Sequence, residues 1–323
     1  PDKAMRLTLD IFEYCQIELP KVNPISISGY HMEEAGATAA QEIGFTIANG
    51  IEYLRLAKGR NVDLEKLAET FTFFFSSKTN FVEEICKFRA ARVLWAKLLV
   101  EEFKFTSQKA LKMRIHAQTA GSELTAIQPE HNYARVTIQA LAAVLGGVQS
   151  LHTNSFNEAH SLPTQTSSHI AINTQKIIWH ETDISEYPDP LNGAPVFEEK
   201  TELLVNRAQE IFVDIQNLGG ALKAVESNYQ KDEIERVSYL TQLKFQKGTK
   251  IVVGLNDGGI PMDNSDESDL YFENSGENGI ETSRKNSKHQ RDVAIETELV
   301  DAWAENRNVL YPIKKLLIEG YSV

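Results

Sequence analysis

The sequence predicts an α/β fold in which parallel strands carry helices on their outer side and present a polar inner face. Three observations predict it. Short β-like runs at Pro24 to Ser28, Phe71 to Ser76 and Lys112 to Thr119 recur at roughly 40 to 50 residue spacing, about the length of a strand plus a long helix. The stretches between them repeat apolar residues at helical intervals, giving a βαβα order and hence a parallel sheet with helices outside. On the strands, hydroxyls alternate with apolar residues. A filled barrel axis carries layers of Val, Ile and Leu, so serines there imply that something other than protein occupies the axis.

In order along the chain, Ile25-Ser-Ile-Ser-Gly-Tyr-His31 places Ser26 and Ser28 on one face and Ile25 and Ile27 on the other, with Tyr30 and His31 at the carboxyl end. Glu33 to Ala57 follows as a helix through Ile43, Ile47, Ile51 and Leu54. The second strand sets Thr70, Thr72 and Phe74 against Phe71, Phe73 and Phe75. Asn80 to Phe103 is helical through Phe81, Ile85, Phe88, Trp95 and Leu99. The third strand sets Arg114, His116 and Gln118 against Met113, Ile115 and Ala117, three polar groups in register that an ordinary core does not explain. Ile138 to Leu145 is an apolar helix stopped by Gly146-Gly147, and helices are expected at Thr164 to Glu181, Glu198 to Leu218 and Ala221 to Gln246. A short strand is expected at Lys250 to Gly254. From Asn256 to about Asp292 the composition turns to Asp, Asn, Ser, Gly and Glu, which reads as a flexible linker before a final helical stretch, Val293 to Ile318.

Composition narrows the function classes. The 323 residues are 42% hydrophobic and 24% charged, enough for a large core. A formal net charge of −12 argues against a partner bound through nucleic-acid phosphates, which calls for Lys and Arg. Two cysteines, Cys15 and Cys86, are too few for a disulfide framework or a zinc cluster and are expected buried and reduced. No apolar run approaches the roughly 18 residues that span a bilayer, so no membrane role and a cytoplasmic location are expected. The chain opens at Pro1 in mid-pattern, and sequence upstream is expected.

The chemistry-bearing residues collect at expected strand ends. His31 follows a glycine-terminated strand, where its imidazole is able to donate to a carbonyl. Asn154 and Glu158 lie four apart; on a helix they share a face and suit the two hydroxyls of a ribose, whereas a helix cap with a first-turn acid is the purely structural reading.

Ser26-Ile-Ser-Gly-Tyr-His-Met-Glu-Glu-Ala-Gly36, Phe88-Arg-Ala-Ala-Arg92, His116-Ala-Gln-Thr-Ala-Gly121, Gly146-Gly-Val-Gln-Ser-Leu-His-Thr-Asn-Ser-Phe-Asn-Glu-Ala159, Asp189-Pro-Leu-Asn-Gly193 and Val252-Val-Gly-Leu-Asn256 closely resemble the methylmalonyl-CoA mutase family, in order from about Pro1 to Asn256. The resemblance implies the last strands of a (β/α)8 TIM barrel over residues 1–182, a mostly helical region over 183–256 ending in a short strand, a polar linker over 257–292 and a C-terminal helical segment over 293–323. It implies an adenosylcobalamin-dependent radical isomerase acting on an acyl-CoA thioester threaded through the barrel. By resemblance His31 bonds the thioester carbonyl with Tyr30 packed beside it, and Lys21, Ser26, Ser28, Thr72 and Gln149 face substrate and CoA. His116, Gln118, Asn154 and Glu158 then face the cofactor. The family's cobalt-ligating Asp-x-His-x-x-Gly signature is not in the chain, so a separate small cobalamin-binding subunit and an N-terminal barrel half are the implied partners. Where the family has an arginine and a serine on its middle strand, this chain has Thr70 and Thr72, a lost phosphate-pairing guanidinium. That departure keeps a second class open: a non-catalytic remnant or interaction module that retains the fold.

Overall fold

A computed structural model describes residues 2–257. The linker and C-terminal helix expected beyond Asp257 lie outside the described residues. Four parallel strands form one sheet in sequence order: β1 (Ser26–Ser28), β2 (Thr72–Ser77), β3 (Arg114–Thr119) and β4 (Ser150–His152). Helix α1 (Asp2–Glu18) precedes β1, and α2 (Tyr30–Glu34), α3 (Ala39–Ala57) and α4 (Leu64–Thr70) carry the chain to β2. Helix α5 (Phe81–Leu98) runs on into a π-helical turn, Leu99–Phe103, and α6 (Gln108–Leu111) leads into β3. After β3 come α7 (His131–Leu145), then β4, α8 (Gln165–His180), α9 (Pro195–Asn217), α10 (Ala221–Glu226) and α11 (Tyr229–Gln246).

The period-two pattern of the strands decides which face is dry. Ile27, Phe73, Phe75, Ile115 and Ala117 are buried beneath the helices, where Trp95 of α5 meets Phe73 edge-on at 4.9 Å. Ser26, Ser28, Thr72, Phe74, Arg114, His116 and Gln118 occupy the other, partly open face. The register sets Ser26 beside Thr72 and Arg114, and Ser28 beside Phe74, His116 and Ser150. Among the described residues β1 and β4 each have one strand neighbour, so the sheet has two open edges.

Local chemistry fixes the helix ends. Thr38 closes a capping box with Gln41 at the start of α3, and Thr164 does the same with Ser167 for α8. Pro195 sits in the first turn of α9, where its missing N–H costs nothing. Helix α9 packs along α3 and α5, and its Leu204, Val205, Ala208, Phe212 and Ile215 join the same core as the sheet.

Five expectations change. The helix expected from Glu33 to Ala57 is two, α2 and α3, broken at Gly36 (φ 114°), and the one expected from Ala221 to Gln246 is broken at Asn228. Thr70 ends α4 instead of opening a strand, because its hydroxyl donates to the Leu67 carbonyl at 2.7 Å. The strand expected at Lys250 to Gly254 is a turn. There the Asn256 side chain takes the Val252 N–H at 2.7 Å and donates to the Lys250 carbonyl at 2.9 Å, satisfying backbone that a strand partner would have used. The 154–159 segment is likewise a turn, not a helix.

Candidate functional site

The carboxyl ends of the strands bring together most of the residues singled out from sequence. Tyr30, opening α2 directly after β1, lays its ring on Phe74 of β2, with centroids 4.8 Å apart and planes within 3°. Phe74 in turn packs against His116 at 5.1 Å. The Gln118 Nε2 donates to the Tyr30 hydroxyl at 2.9 Å and to Asn154 Oδ1 at 2.9 Å. Asn154, on the loop after β4, is anchored on Thr119: its side-chain Nδ2 donates to the Thr119 carbonyl and its backbone N–H to Oγ1, both at 2.8 Å. Tyr30, Gln118 and Asn154 therefore form one hydrogen-bonded unit drawn from three strand ends.

His31 stands next to this unit with Nδ1 3.2 Å from the Ser28 hydroxyl. Desolvation holds this imidazole below the usual histidine range, which favours the neutral ring. His116 Nδ1 lies 2.8 Å from the Ser150 hydroxyl, and partial burial together with the neighbouring His152 lowers its pKa also. Burial, reinforced by Glu34, pushes the Tyr30 phenol up to about 12, so it stays protonated. Burial raises the Glu34 carboxyl, and the Ser122 N–H at 3.0 Å opposes that shift. Glu158 is exposed, with its Cγ 3.8 Å from where a Cβ on Gly121 would stand, so the turn delivers it to the site without the helix.

Other expected residues are engaged elsewhere. The Gln149 side chain accepts from the Ile115 N–H at 2.8 Å and donates to the Gly147 carbonyl at 2.9 Å, bracing the β3–β4 edge. Thr72 donates to the Ile25 carbonyl at 3.2 Å, bracing β1 against β2. Ser26 is exposed on the open face near the amino end of its strand.

Lys21 lies far from the tyrosine, in a cleft of about 510 Å³ at the amino ends of the strands. Lys21, Lys66, Lys109, Lys112 and Arg114 line it with five cations against the single carboxylate of Glu69, in a chain whose net charge is −12. Arg114 donates to the Glu69 and Phe71 carbonyls, neutral partners that leave its charge uncompensated. Of this group sequence reasoning gave a CoA role to Lys21 alone, although it had set Arg114 on the polar face of the third strand. The available signal was Lys109-Ala-Leu-Lys-Met-Arg114, a basic run directly before a strand in an acidic chain. Thr119, Glu34 and Phe74 were also missed as site-builders; as a buried strand-end residue, a helix acid and a strand aromatic, they resemble ordinary core and cap residues until the fold joins them.

Among the described residues no helix is long and apolar enough to cross a membrane, and no three His, Cys, Asp or Glu side chains cluster to hold a metal ion.

The methylmalonyl-CoA mutase family model matches residues 1–320. The methylmalonyl-CoA mutase of Rhizobium meliloti (strain 1021) is 39% identical over 307 residues, covering 94% of this chain and 43% of that protein. The mitochondrial methylmalonyl-CoA mutase of Homo sapiens is 39% identical over 305 residues, 94% of this chain and 41% of that one. The methylmalonyl-CoA mutase large subunit of Porphyromonas gingivalis is 42% identical over 263 residues, 81% and 37% respectively. The chain thus spans about two fifths of the length of these relatives. With nearly every residue inside the family match, the chain belongs to the methylmalonyl-CoA mutase family.

Proposed function

We propose that this chain supplies the later barrel strands of an adenosylcobalamin-dependent acyl-CoA mutase, an isomerase that rearranges the carbon skeleton of a CoA thioester. The observation that carries the reading is a mostly polar sheet face, interrupted by Phe74, between two unlike ends. One end is the cationic cleft of Lys21, Lys66, Lys109, Lys112 and Arg114; the other is the Tyr30, His31, Gln118 and Asn154 cluster. A strand of six residues at roughly 3.3 Å each separates them by about 20 Å. An acyl-CoA has that polarity: phosphates at one end, a narrow pantetheine arm, and a thioester at the other. The cleft pairs with phosphates, and Ser26 and Ser28 offer small hydroxyls to the arm.

At the reacting end, neutral His31 donates to the thioester oxygen from Nε2, while Ser28 accompanies Nδ1. Tyr30, protonated and held flat on Phe74, walls the site and keeps water from the acyl group. The donor set suits adenosylcobalamin: half-buried His116 and Gln118 with exposed His152 and Glu158 line the carboxyl-end face, and a Cβ on Gly121 would already press to 3.3 Å on Asn154 Nδ2 and Glu34 Oε2. In this reading the exposed Glu158 accepts a ribose hydroxyl. When bound, that group supplies carbon-radical chemistry. The cobalt ligand, in this reading, comes from a separate cobalamin-binding subunit or domain, and strands preceding β1 complete the barrel.

A second reading, a family member that keeps the barrel without turnover, is favoured by Thr70 and Thr72, whose hydroxyls are spent on backbone carbonyls. The test is the full-length protein with its cobalamin-binding partner, adenosylcobalamin and a panel of methylmalonyl-, ethylmalonyl-, isobutyryl- and hydroxyisobutyryl-CoA. Isomerisation of one member supports the enzyme. Absence of turnover of every member, with or without acyl-CoA binding, refutes the enzyme and supports the second reading.

A further inference from the structure

Helix α2 is five residues long, too short to hold its shape in water by itself, and it stands between Gly29 and Gly36. Tyr30 and His31 face the site, whereas Met32 and Glu33 are turned inward, 7% and 1% exposed. Met32 belongs to the apolar core and needs no partner. Glu33 does: its carboxylate pairs with Lys78, and among the described residues neither oxygen takes a hydrogen bond from another donor. Lys78 itself stands on fixed backbone directly after β2. Before it, the Ser77 hydroxyl donates to the Gln139 carbonyl at 2.7 Å and the Ser77 carbonyl takes the Ala120 N–H at 2.8 Å. After it, the Thr79 N–H and hydroxyl donate to Glu123 Oε2 at 2.6 and 2.8 Å. The tie thus runs from a rigid strand end to a short element between glycines, and α2 is the partner that yields when it is cut. A buried ion pair is a poor source of stability, since replacing both charges by apolar groups is often neutral or better, whereas removing one strands the other. What this pair supplies is direction.

We infer that Glu33 and Lys78 are a positioning pair: by tying the buried side of α2 to the end of β2, they set where Tyr30 and His31 stand over the strand ends. This rests on the proposed mutase reading only for its catalytic consequence; the link from Lys78 through Glu33 to Tyr30 and His31 stands without it.

The test uses the full-length protein labelled with 3-fluorotyrosine, the resonances being assigned by Tyr30→Phe, Tyr53→Phe and Tyr229→Phe. Lys78→Met and Glu33→Gln should each shift or broaden Tyr30 while leaving Tyr53 of α3 and Tyr229 of α11 in place, a selectivity that general loosening does not produce. Lys78→Arg keeps the cation and should restore most of the Tyr30 signal. The double variant Glu33→Gln, Lys78→Met strands no charge, so its Tm should return to that of the parent or above, whereas its Tyr30 resonance should stay displaced. In the loaded enzyme, Lys78→Met and the double variant should lower kcat roughly ten- to a hundredfold with KM for acyl-CoA within about twofold, because the cationic cleft lies at the far end of the strands. A Tyr30 resonance at its parent position in the double variant overturns the inference. So do Tyr53 and Tyr229 resonances that move as far as Tyr30, and so does an unchanged kcat in an enzyme that turns over. If the resonances behave as stated but no CoA ester is turned over, the mutase reading fails and the positioning pair stands.

Discussion

Replacing Glu42 by Gln should change how stability depends on pH, because this carboxyl is buried at the centre of the fold with two charged neighbours. Lys87 donates from Nζ to Glu42 at 2.7 Å, to Glu84 and to the Ser76 carbonyl at 2.9 Å, and Glu42 Oε1 takes the Ser76 N–H at 2.7 Å. Both Lys87 and Glu42 side chains are 0% exposed. Desolvation outweighs the attraction of Lys87, and repulsion by Glu84 adds to it, so Glu42 rises from the ordinary 4.5 to about 7. A raised carboxyl binds its proton more tightly folded than unfolded; stability attached to that proton is present at low pH and is lost as pH climbs from about 4.5 through about 7. A shift of that size corresponds to about 3 kcal/mol. Urea unfolding of parent and Glu42→Gln, followed by tryptophan fluorescence at intervals from pH 4.5 to 8, reads the difference directly. The parent should lose about 3 kcal/mol relative to the variant across that window. A difference that stays flat, or that moves in the parent's favour as pH rises, refutes the assignment.

Further outcomes follow from the same geometry. His31→Ala in the loaded enzyme should lower turnover by roughly a hundred- to a thousandfold, the loss expected for one preorganised donor, while cobalamin affinity measured by titration barely changes. Charge reversal at Lys66 and Lys112 should raise KM for acyl-CoA with kcat nearly intact, and the penalty should shrink as ionic strength rises, since exposed charges are screened over about 10 Å at 0.1 M salt. Gly29→Ala would bring a Cβ to 2.3 Å from Thr46 Oγ1 and 2.8 Å from Glu42 Cγ, both on fully buried residues, so thermal denaturation should show a loss of about 1–3 kcal/mol and Tyr30 and His31 should shift with it. The 323-residue chain expressed alone should show no turnover and should self-associate by light scattering through the open edges of β1 and β4; a monodisperse, active preparation would contradict this.

What was legible in the sequence was whatever has a period. Ile27, Phe73, Phe75, Ile115 and Ala117 recur at every second position, between polar neighbours except at Phe74, and that period gave three strands and their dry faces. The helices were legible wherever Ile43-Ile47-Ile51-Leu54 or its equivalents repeat. Strand β4 escaped because it is three residues long and reads Ser-Leu-His, with no apolar alternation to mark it. The Lys250 to Gly254 strand was misread because Val252 and Val253 carry β propensity, whereas the local bonds of Asn256 decide the conformation. At the site, Tyr30, His31 and Gln118 were found because they stand at strand ends. The two hydrogen bonds that Asn154 donates to Thr119 were invisible because they join a loop residue to a strand end 35 positions away, a distance no spacing rule covers.

The substitution at Thr70 bears on this last point, because a missing guanidinium in sequence need not be a missing charge in space. Thr70 closes α4, with Glu69 before it and Phe71 after it. Arg114, from the first position of β3, crosses to exactly those neighbours and donates to the carbonyls of both. Its guanidinium therefore lies beside the position that Thr70 leaves without charge, in the same cleft as Lys66, Lys109 and Lys112. Because its partners are neutral, it keeps a full positive charge for an incoming phosphate, and as a planar fork it is better suited than a lysine to bidentate pairing. Restoring an arginine with Thr70→Arg places a second guanidinium against the first. Repulsion between them should offset part of the gain, so affinity for CoA should improve less in the Thr70→Arg variant than in a Thr70→Arg, Arg114→Gln double variant compared with Arg114→Gln alone. Calorimetric titration of free CoA into the four full-length proteins measures that coupling, and strictly additive affinities would show that Arg114 does not serve the site Thr70 vacates.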